Sequence, residues 1–273
     1  AGAALALAAA AATVRGRGRD ARHAGRAAAR RPAPEVVDVE DQSGDSADLV
    51  KAILEKAAAE GVPLWNRPME YVAQPRKSPL ARCGIPSLEA AEDPAQALVV
   101  ALRAAGVDED RAEVGAATLC LMLGGVDEAH NLVTPHSWAA PTTFGGQPKP
   151  GSVARNEASY CKVIVHRMEG TQLGKFGSGF NNSGYWMSTA FKIGESHAIF
   201  PALRSAAGDL AEKFDDAKPL LRSMGPNWDP RAFNRFCQEA LEFEEEGSLE
   251  FCKAVQAREL QLLFEHTTGV VAE

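Results

Sequence analysis

Four ionisable side chains in the middle of the chain are spaced so that they could bind a metal ion together. His166 and Glu169 are three residues apart, which places both on one face of a helix, about one turn from each other. A bundle helix can deliver two metal ligands at this spacing. Two further histidines, His130 and His197, fall at or near the ends of other predicted helices. Three imidazoles and one carboxylate would suit zinc, iron or manganese, so the sequence predicts a divalent metal or small-ligand site.

The same residues also have a structural interpretation, which the sequence alone leaves open. The chain has six histidines in 273 residues, including His136 beside this group, and a His-x-x-Glu pair arises often by chance. On the structural interpretation, His130 and His166 are buried hydrogen-bonding residues, and Arg167 and Glu169 form ion pairs that brace helices. On the functional one, Arg167 would bind a carboxylate or phosphate group of the ligand.

A second group of ligand-binding candidates follows in the next segment. Asn182, Tyr185 and Trp186 are close together in the sequence and could line a pocket beside His166. The ordinary role of Trp and Tyr is core packing with one polar contact, and the sequence leaves that alternative open.

Charge divides the chain into a basic head and an acidic body. Residues 1–34 contain seven arginines and one acidic residue, a net +6, so the overall −7 leaves residues 35–273 with −13. An acidic surface repels phosphate backbones, so we expect no nucleic-acid partner for the body. Residues 127–130 spell the helicase signature Asp-Glu-Ala-His, but the sequence has no GxxxxGK[ST] phosphate-binding loop, which excludes that class.

The basic head is predicted to be an organelle-targeting presequence. Residues 1–12 are apolar, and the Arg-, Ala- and Gly-rich stretch after them is poor in acidic residues, as transit peptides are. An apolar run followed by a basic run is typical of algae with secondary plastids, and a mitochondrial presequence is the alternative. We therefore expect a plastid protein in which residues 1–34 are disordered or cleaved and residues 35–45 form an acidic linker.

Apolar residues recur at helical spacing along most of the body, which predicts an all-α fold. Pro94 and Pro230 each follow an aspartate, an arrangement typical of a first helical turn. Helices are expected over residues 48–60, 94–105, 110–124, 157–168, 185–192, 199–214, 230–241 and 248–266, with a short one from Asp127. Proline- and glycine-rich loops are expected over residues 61–93, 138–153 and 170–184. The sequence thus predicts one irregular helical bundle domain over residues 46–270, with long loops.

Neither a membrane anchor nor a disulfide framework is expected. The sequence has no apolar run of about 18 residues flanked like a membrane span, which predicts a soluble protein without a transmembrane segment. The five cysteines are scattered and never form a CxxC pair, which predicts free thiols in a reducing compartment.

The polar positions together resemble a helical family of uncharacterised function with fungal, bacterial and algal members. The resemblance rests on Asp127-Glu128-Ala129-His130, Ser159-Tyr160, His166-Arg167-Met168-Glu169-Gly170, Asn182 with Tyr185-Trp186, and Gly194 with His197-Ala198-Ile199-Phe200. This is a pattern of the form D-E-x-H, H-R-x-E, N-x-x-Y-W and G-x-x-H. The resemblance implies a helical fold and shared polar positions, and it implies no reaction. A histidine of the family pattern falls on Lys162 in this chain.

Three functions remain open from the sequence. The favoured one is an enzyme or ligand-binding protein that uses His130, His166, Glu169 and His197, with a metal that holds or activates water or an oxygen-bearing substrate. The alternative is a non-catalytic subunit of a plastid or mitochondrial complex that docks through residues 61–93 and 138–156. The third is a binding protein for a small apolar or pigment-like ligand. The expected partner is therefore a small molecule or an organelle protein complex.

Overall fold

Helices account for most of the chain that the structure describes. In this computed structural model the described residues are 42–62, 78–142, 145–171, 173–174, 177–190 and 197–271. The helices in chain order are α1 (Gln42–Glu60), α2 (Pro86–Glu89), α3 (Pro94–Ala104), α4 (Glu109–Met122), α5 (Val126–Ser137), α6 (Arg155–Glu169), α7 (Gly179–Tyr185), α8 (Phe200–Ala211), α9 (Lys218–Met224), α10 (Pro230–Glu242) and α11 (Glu246–Thr268). The prediction of an all-α fold is confirmed.

Helix starts follow the signals that the sequence carries. Asp93 and Asp229 precede α3 and α10, and each side chain accepts a hydrogen bond from a backbone N–H of the first turn. Pro94 and Pro230 then occupy the first helical position. A backbone N–H at that position has no partner within the helix, so proline loses nothing by lacking one. These local signals explain why both helices begin where the sequence predicts.

The segment expected to be a loop over residues 170–184 is partly ordered. It contains a two-residue hairpin, β1 (Leu173–Gly174) paired antiparallel with β2 (Gly177–Ser178), and it also contains α7. The side chain of Ser178 caps α7 by accepting from the backbone N–H of Asn181. A π-helical turn over Trp186–Ala190 follows α7 where an α-helix was expected over residues 185–192, and residues 191–192 lie outside the described residues.

The predicted linker, loop and presequence can also be compared with the structure. α1 begins at Gln42, so the last four residues of the expected linker 35–45 are helical. The loop expected over residues 138–153 has one isolated bridge, between Thr142 and Gly146. The presequence over residues 1–34 lies outside the described residues, as does the stretch 63–77 of the proline-rich segment.

α4 and α6 lie at the centre of the fold. α4 packs against α3, α5 and α11, and α6 packs against α5 and α7. Every residue from 158 to 169 of α6 is buried, although this stretch carries a lysine, a histidine, an arginine and a glutamate. Burying an ionisable group costs free energy unless the group has a partner. The polar side chains of α6 must therefore have partners on the neighbouring helices.

No described helix combines the length and apolar character that a bilayer crossing requires. All five cysteines are buried and unbonded, in line with the predicted free thiols. Burial raises the pKa of the Cys161 thiol to about 12, so this side chain behaves as a small apolar group.

Candidate functional site

α6 presents two sets of polar side chains on different faces. Lys162, His166 and Glu169 follow the spacing i, i+4, i+7 and therefore share one face, which meets α5 and α7. Tyr160 and Arg167 are also seven residues apart and share another face, which meets α11. The helix thus contributes to two separate polar clusters.

The first cluster is completed from α5. His130 and Thr134 are four residues apart on α5, and the His130 ring meets the His166 ring edge-on, with centroids 5.8 Å apart. Lys162 donates from Nζ to the Thr134 hydroxyl at 2.6 Å, and that hydroxyl donates to the His130 backbone carbonyl at 2.6 Å. The α5 and α6 faces are therefore joined by direct polar contacts.

The cluster is closed from α7 and the π-helical turn. Asn182 lies with Nδ2 3.1 Å from Nδ1 of His166, and the same imidazole nitrogen is 2.9 Å from Oε2 of Glu169. Trp186 stacks on His166 with centroids 6.3 Å apart, and its ring centroid lies 5.5 Å from the Lys162 ammonium. We refer below to the central cluster, which consists of His130, Thr134, Lys162, His166, Glu169, Asn182 and Trp186.

A glycine allows α7 to approach α6 at this place. A β-carbon on Gly179 would lie 2.4 Å from the His166 carbonyl oxygen and 2.5 Å from the β-carbon of Glu169. Farther along α7, the Ser183 hydroxyl donates to the Val163 carbonyl at 2.9 Å. Direct backbone contact between the two helices is therefore what places Asn182 on His166.

Burial changes the pKa values of the ionisable groups in the central cluster and brings those of Lys162 and Glu169 close together. Burial lowers the pKa of Lys162 to about 7 and raises the pKa of Glu169 to about 7, while each charge partly offsets the shift of the other. Burial and the nearby Lys162 charge lower the pKa of His130 to about 2 and hold that of His166 well below its ordinary value. Near neutral pH both imidazoles are uncharged, and an amine and a carboxyl can each gain or lose a proton.

The structure does not support a metal in this cluster. Among the described residues, no three His, Cys, Asp or Glu side chains are grouped so that they could hold a metal ion. The ammonium of Lys162, whose charge lowers the pKa of both imidazoles, would also oppose a second cation there. The described residues therefore do not support the predicted zinc, iron or manganese site.

His197 lies in different surroundings from the other predicted residues. Its ring stacks on Tyr160 with centroids 4.9 Å apart and also contacts Phe200 and His266. Tyr160 and His166 are six residues apart on α6, a rise of about 9 Å with side chains on different faces. The structure therefore brings together His130, His166 and Glu169 but places His197 beside another part of α6.

Arg167 forms the second cluster with α11. Its guanidinium is fully buried, donates from Nε to Gln256 Oε1 at 3.0 Å, and forms an ion pair with Glu259. The Tyr160 hydroxyl donates to the same Glu259 carboxylate, and the guanidinium lies 4.9 Å from the Phe233 ring centroid. This geometry favours the structural interpretation of Arg167 over the predicted role in binding a ligand carboxylate or phosphate.

Aromatic side chains mark where the central cluster nears the surface. Tyr185 is 44% exposed and meets Trp186 edge-on, and Trp138, at 41%, also meets that ring edge-on. Lys162, Thr134 and Trp138 were not among the residues predicted for the site. The i, i+4, i+7 stripe from Lys162 to Glu169 was the available signal for the lysine.

Comparison with known proteins adds no relative. No protein-family model, no curated protein and no solved structure matches this chain.

Proposed function

We propose that the central cluster binds a small molecule and catalyses proton transfer, with Lys162 and Glu169 as the acid–base pair. The observation that carries this proposal is the convergence of an amine, a carboxyl and two neutral imidazoles from α5 and α6 in one buried place. Paired groups whose surroundings push their proton affinities toward neutrality are typical of general acid–base sites.

The energetics of Lys162 support a ligand rather than a purely structural role. Its side chain is buried, and the contacts described above are with a neutral hydroxyl and an indole ring. Neither contact neutralises an ammonium, and the Glu169 charge offsets the burial penalty only in part, because the pKa of Lys162 is still lowered to about 7. An apolar side chain of similar size would fill the same space without the burial penalty. A ligand with a negatively charged or strongly electron-rich oxygen would offset that penalty.

The chemistry of the lining defines the ligand class. Lys162 would contact the acidic or carbonyl oxygen, and Trp186 offers an aromatic face for a planar group. The Asn182 amide and the two imidazoles add hydrogen-bonding groups. Glu169 is partly ionised near neutral pH and would remove a proton from a position next to the carbonyl. The proposed substrates are therefore small carboxylic acids and carbonyl compounds with an acidic C–H bond.

Ligand-observed NMR with a library of such compounds tests the proposal. Compounds should bind wild-type protein and lose binding in Lys162→Met, while Lys253→Met, which changes a lysine on α11 outside the cluster, should bind normally. In D₂O, bound compounds should exchange a carbon-bound hydrogen for deuterium, and Glu169→Gln should stop this exchange. Binding that is equal in wild type and Lys162→Met would contradict the proposal and favour the non-catalytic subunit as the alternative.

We also propose that residues 1–34 direct the protein to the plastid, on the basis of their apolar and arginine-rich composition. A fusion of residues 1–45 to a fluorescent protein in an algal host tests this localisation. Fluorescence in mitochondria would contradict it.

A further inference from the structure

A histidine outside the central cluster is held between a carboxylate and a serine. His136 of α5 lies with Nε2 2.6 Å from Oε2 of Glu113 on α4, and with Nδ1 2.6 Å from the Ser152 hydroxyl. These three residues are 23 and 16 positions apart in the chain, so helix packing brings them together. An acid, an imidazole and a hydroxyl joined in this order have the connectivity of a serine-nucleophile triad.

The hydrogen-bonding chemistry sets the direction of proton transfer. Burial alone would raise the pKa of Glu113, but hydrogen bonds from His136 and Lys149 lower it below its ordinary value. The carboxyl is therefore ionised and can only accept hydrogen bonds. In a neutral imidazole the proton then lies on Nε2, and Nδ1 accepts from the Ser152 hydroxyl. Nδ1 is therefore the ring nitrogen that can act as the base toward Ser152.

Neighbouring side chains hold this arrangement in place. Lys149 donates from Nζ to the second oxygen of Glu113 at 2.7 Å, and Asp110 Oδ1 lies 3.8 Å from Nδ1 of His136. The backbone N–H of Ala154 donates to Ser152 Oγ at 3.2 Å, which orients the hydroxyl. The acid is therefore fixed on one side of the imidazole and the hydroxyl on the other.

Ser152 is more exposed than the histidine that it contacts. His136 is 1% exposed, whereas Ser152 is half-buried in the loop that precedes α6. The next residue, Val153, is 61% exposed and offers an apolar contact beside the hydroxyl. A reactant can therefore approach Ser152 from the surface while the base stays shielded from water.

We propose that Ser152 is a nucleophile that accepts acyl groups from carboxylic esters, with His136 as general base and Glu113 as the residue that positions it. The Ser152 oxygen bonds to the acyl carbon while its proton moves to Nδ1 of His136. The bond between the acyl carbon and the ester oxygen then breaks, and that oxygen takes the proton from Nδ1 and leaves as an alcohol. Water, deprotonated by the same nitrogen, adds to the acyl-serine and releases the carboxylic acid and the free hydroxyl.

Labelling with diisopropyl fluorophosphate, followed by intact-mass and peptide mass spectrometry, tests this proposal. Wild type should form one adduct, on Ser152, and p-nitrophenyl acetate should acylate the same residue. Ser152→Ala should form none. Ser223→Ala, which changes an exposed serine hydrogen-bonded to a backbone carbonyl, should label like wild type.

A second variant separates reactivity from folding. Glu113→Gln keeps the size of the side chain and should slow labelling by at least about tenfold, because the imidazole loses the carboxylate that fixes its tautomer. Labelling of other serines at the rate of Ser152, or an unchanged rate in Glu113→Gln, would overturn the proposal. Labelling of Ser152 is measured without any ligand of the central cluster, so failure here and failure of the central cluster are distinguishable.

Discussion

The α-carbon of Gly179 packs against the backbone carbonyl of His166, so closely that a β-carbon would lie 2.4 Å from that oxygen. The obstructing atoms are two backbone atoms and the β-carbon of Glu169, none of which can rotate away, so Gly179→Ala must push α7 away from α6. We expect a loss of about 1–3 kcal/mol in the free energy of unfolding, measured by urea denaturation. Binding that depends on Lys162 should disappear as well, because Asn182 and Trp186 move with α7.

Gly184→Ala is the matched control on the same helix. A β-carbon on Gly184 meets no atom within 4 Å, so this variant should be as stable as wild type or more stable by about 0.5–1 kcal/mol. Equal stability of the Gly179 and Gly184 variants would show that the close approach does not position the site.

The lowered pKa of Lys162 predicts a distinct dependence of the free energy of unfolding on pH. Its pKa is about 7 in the folded protein against an ordinary 10.5, so between these values the unfolded chain binds more protons than the folded one. The free energy of unfolding must therefore rise with pH in this range, by up to about 1.4 kcal/mol per pH unit from this residue. Urea denaturation of wild type and Lys162→Met between about pH 7 and about pH 8.5 measures the difference.

That window separates Lys162 from other buried groups. Glu169 and the histidines with lowered pKa act mainly below it, and the cysteine thiols act above it. The wild-type slope should exceed the slope of Lys162→Met. Parallel curves for the two proteins would mean that Lys162 keeps an ordinary proton affinity.

The Arg167–Glu259 ion pair should be expensive to break from one side. Arg167→Met leaves a fully buried carboxylate without its cation, and we expect a loss of about 3–5 kcal/mol in the free energy of unfolding. The double variant Arg167→Met/Glu259→Gln should recover a large part of this loss, because no charge remains unpaired. A surface control, Lys253→Met, breaks its contact with Glu250 and should cost less than about 1 kcal/mol. Equal losses in the single and double variants would contradict this account.

His197 should weaken the fold in acid. Burial, with the His266 charge next in effect, lowers the pKa of His197 to about 4 from an ordinary 6.5. The unfolded chain therefore binds more protons between these values, and stability falls as the pH falls. His197→Phe keeps a ring against Tyr160 and should lose about 1–2 kcal/mol less than wild type between about pH 6.5 and about pH 5. Thermal or urea unfolding at both pH values measures this, and an unchanged loss would contradict it.

Local signals in the sequence predicted most helices but not the glycine-rich α7. Aspartate caps and prolines marked the starts of α3 and α10, because those signals act within one turn. The glycines in Gly179–Tyr185 argue against a helix on intrinsic propensity. There the contact of Gly179 with α6 requires a residue without a side chain, and such a requirement is invisible in a local pattern.

The candidate site was predictable in part for the same reason. His166 and Glu169 share a helix face by spacing alone, and Lys162 lies on the same stripe. The neighbours of that stripe depend on how α5 and α7 pack against α6, so the sequence could not show that His197 stacks on Tyr160 instead. It could not show either that His136 lies between Glu113 and Ser152.

The five buried thiols can be used to measure local unfolding of the protein. Cys120, Cys161, Cys237 and Cys252 lie on α4, α6, α10 and α11, and Cys83 lies between α1 and α2. An alkylating reagent reaches such a sulfur only when the surrounding helices separate, so each alkylation rate reads the free energy of one local opening. One time course by mass spectrometry would therefore rank how firmly these helices are held, without an added probe.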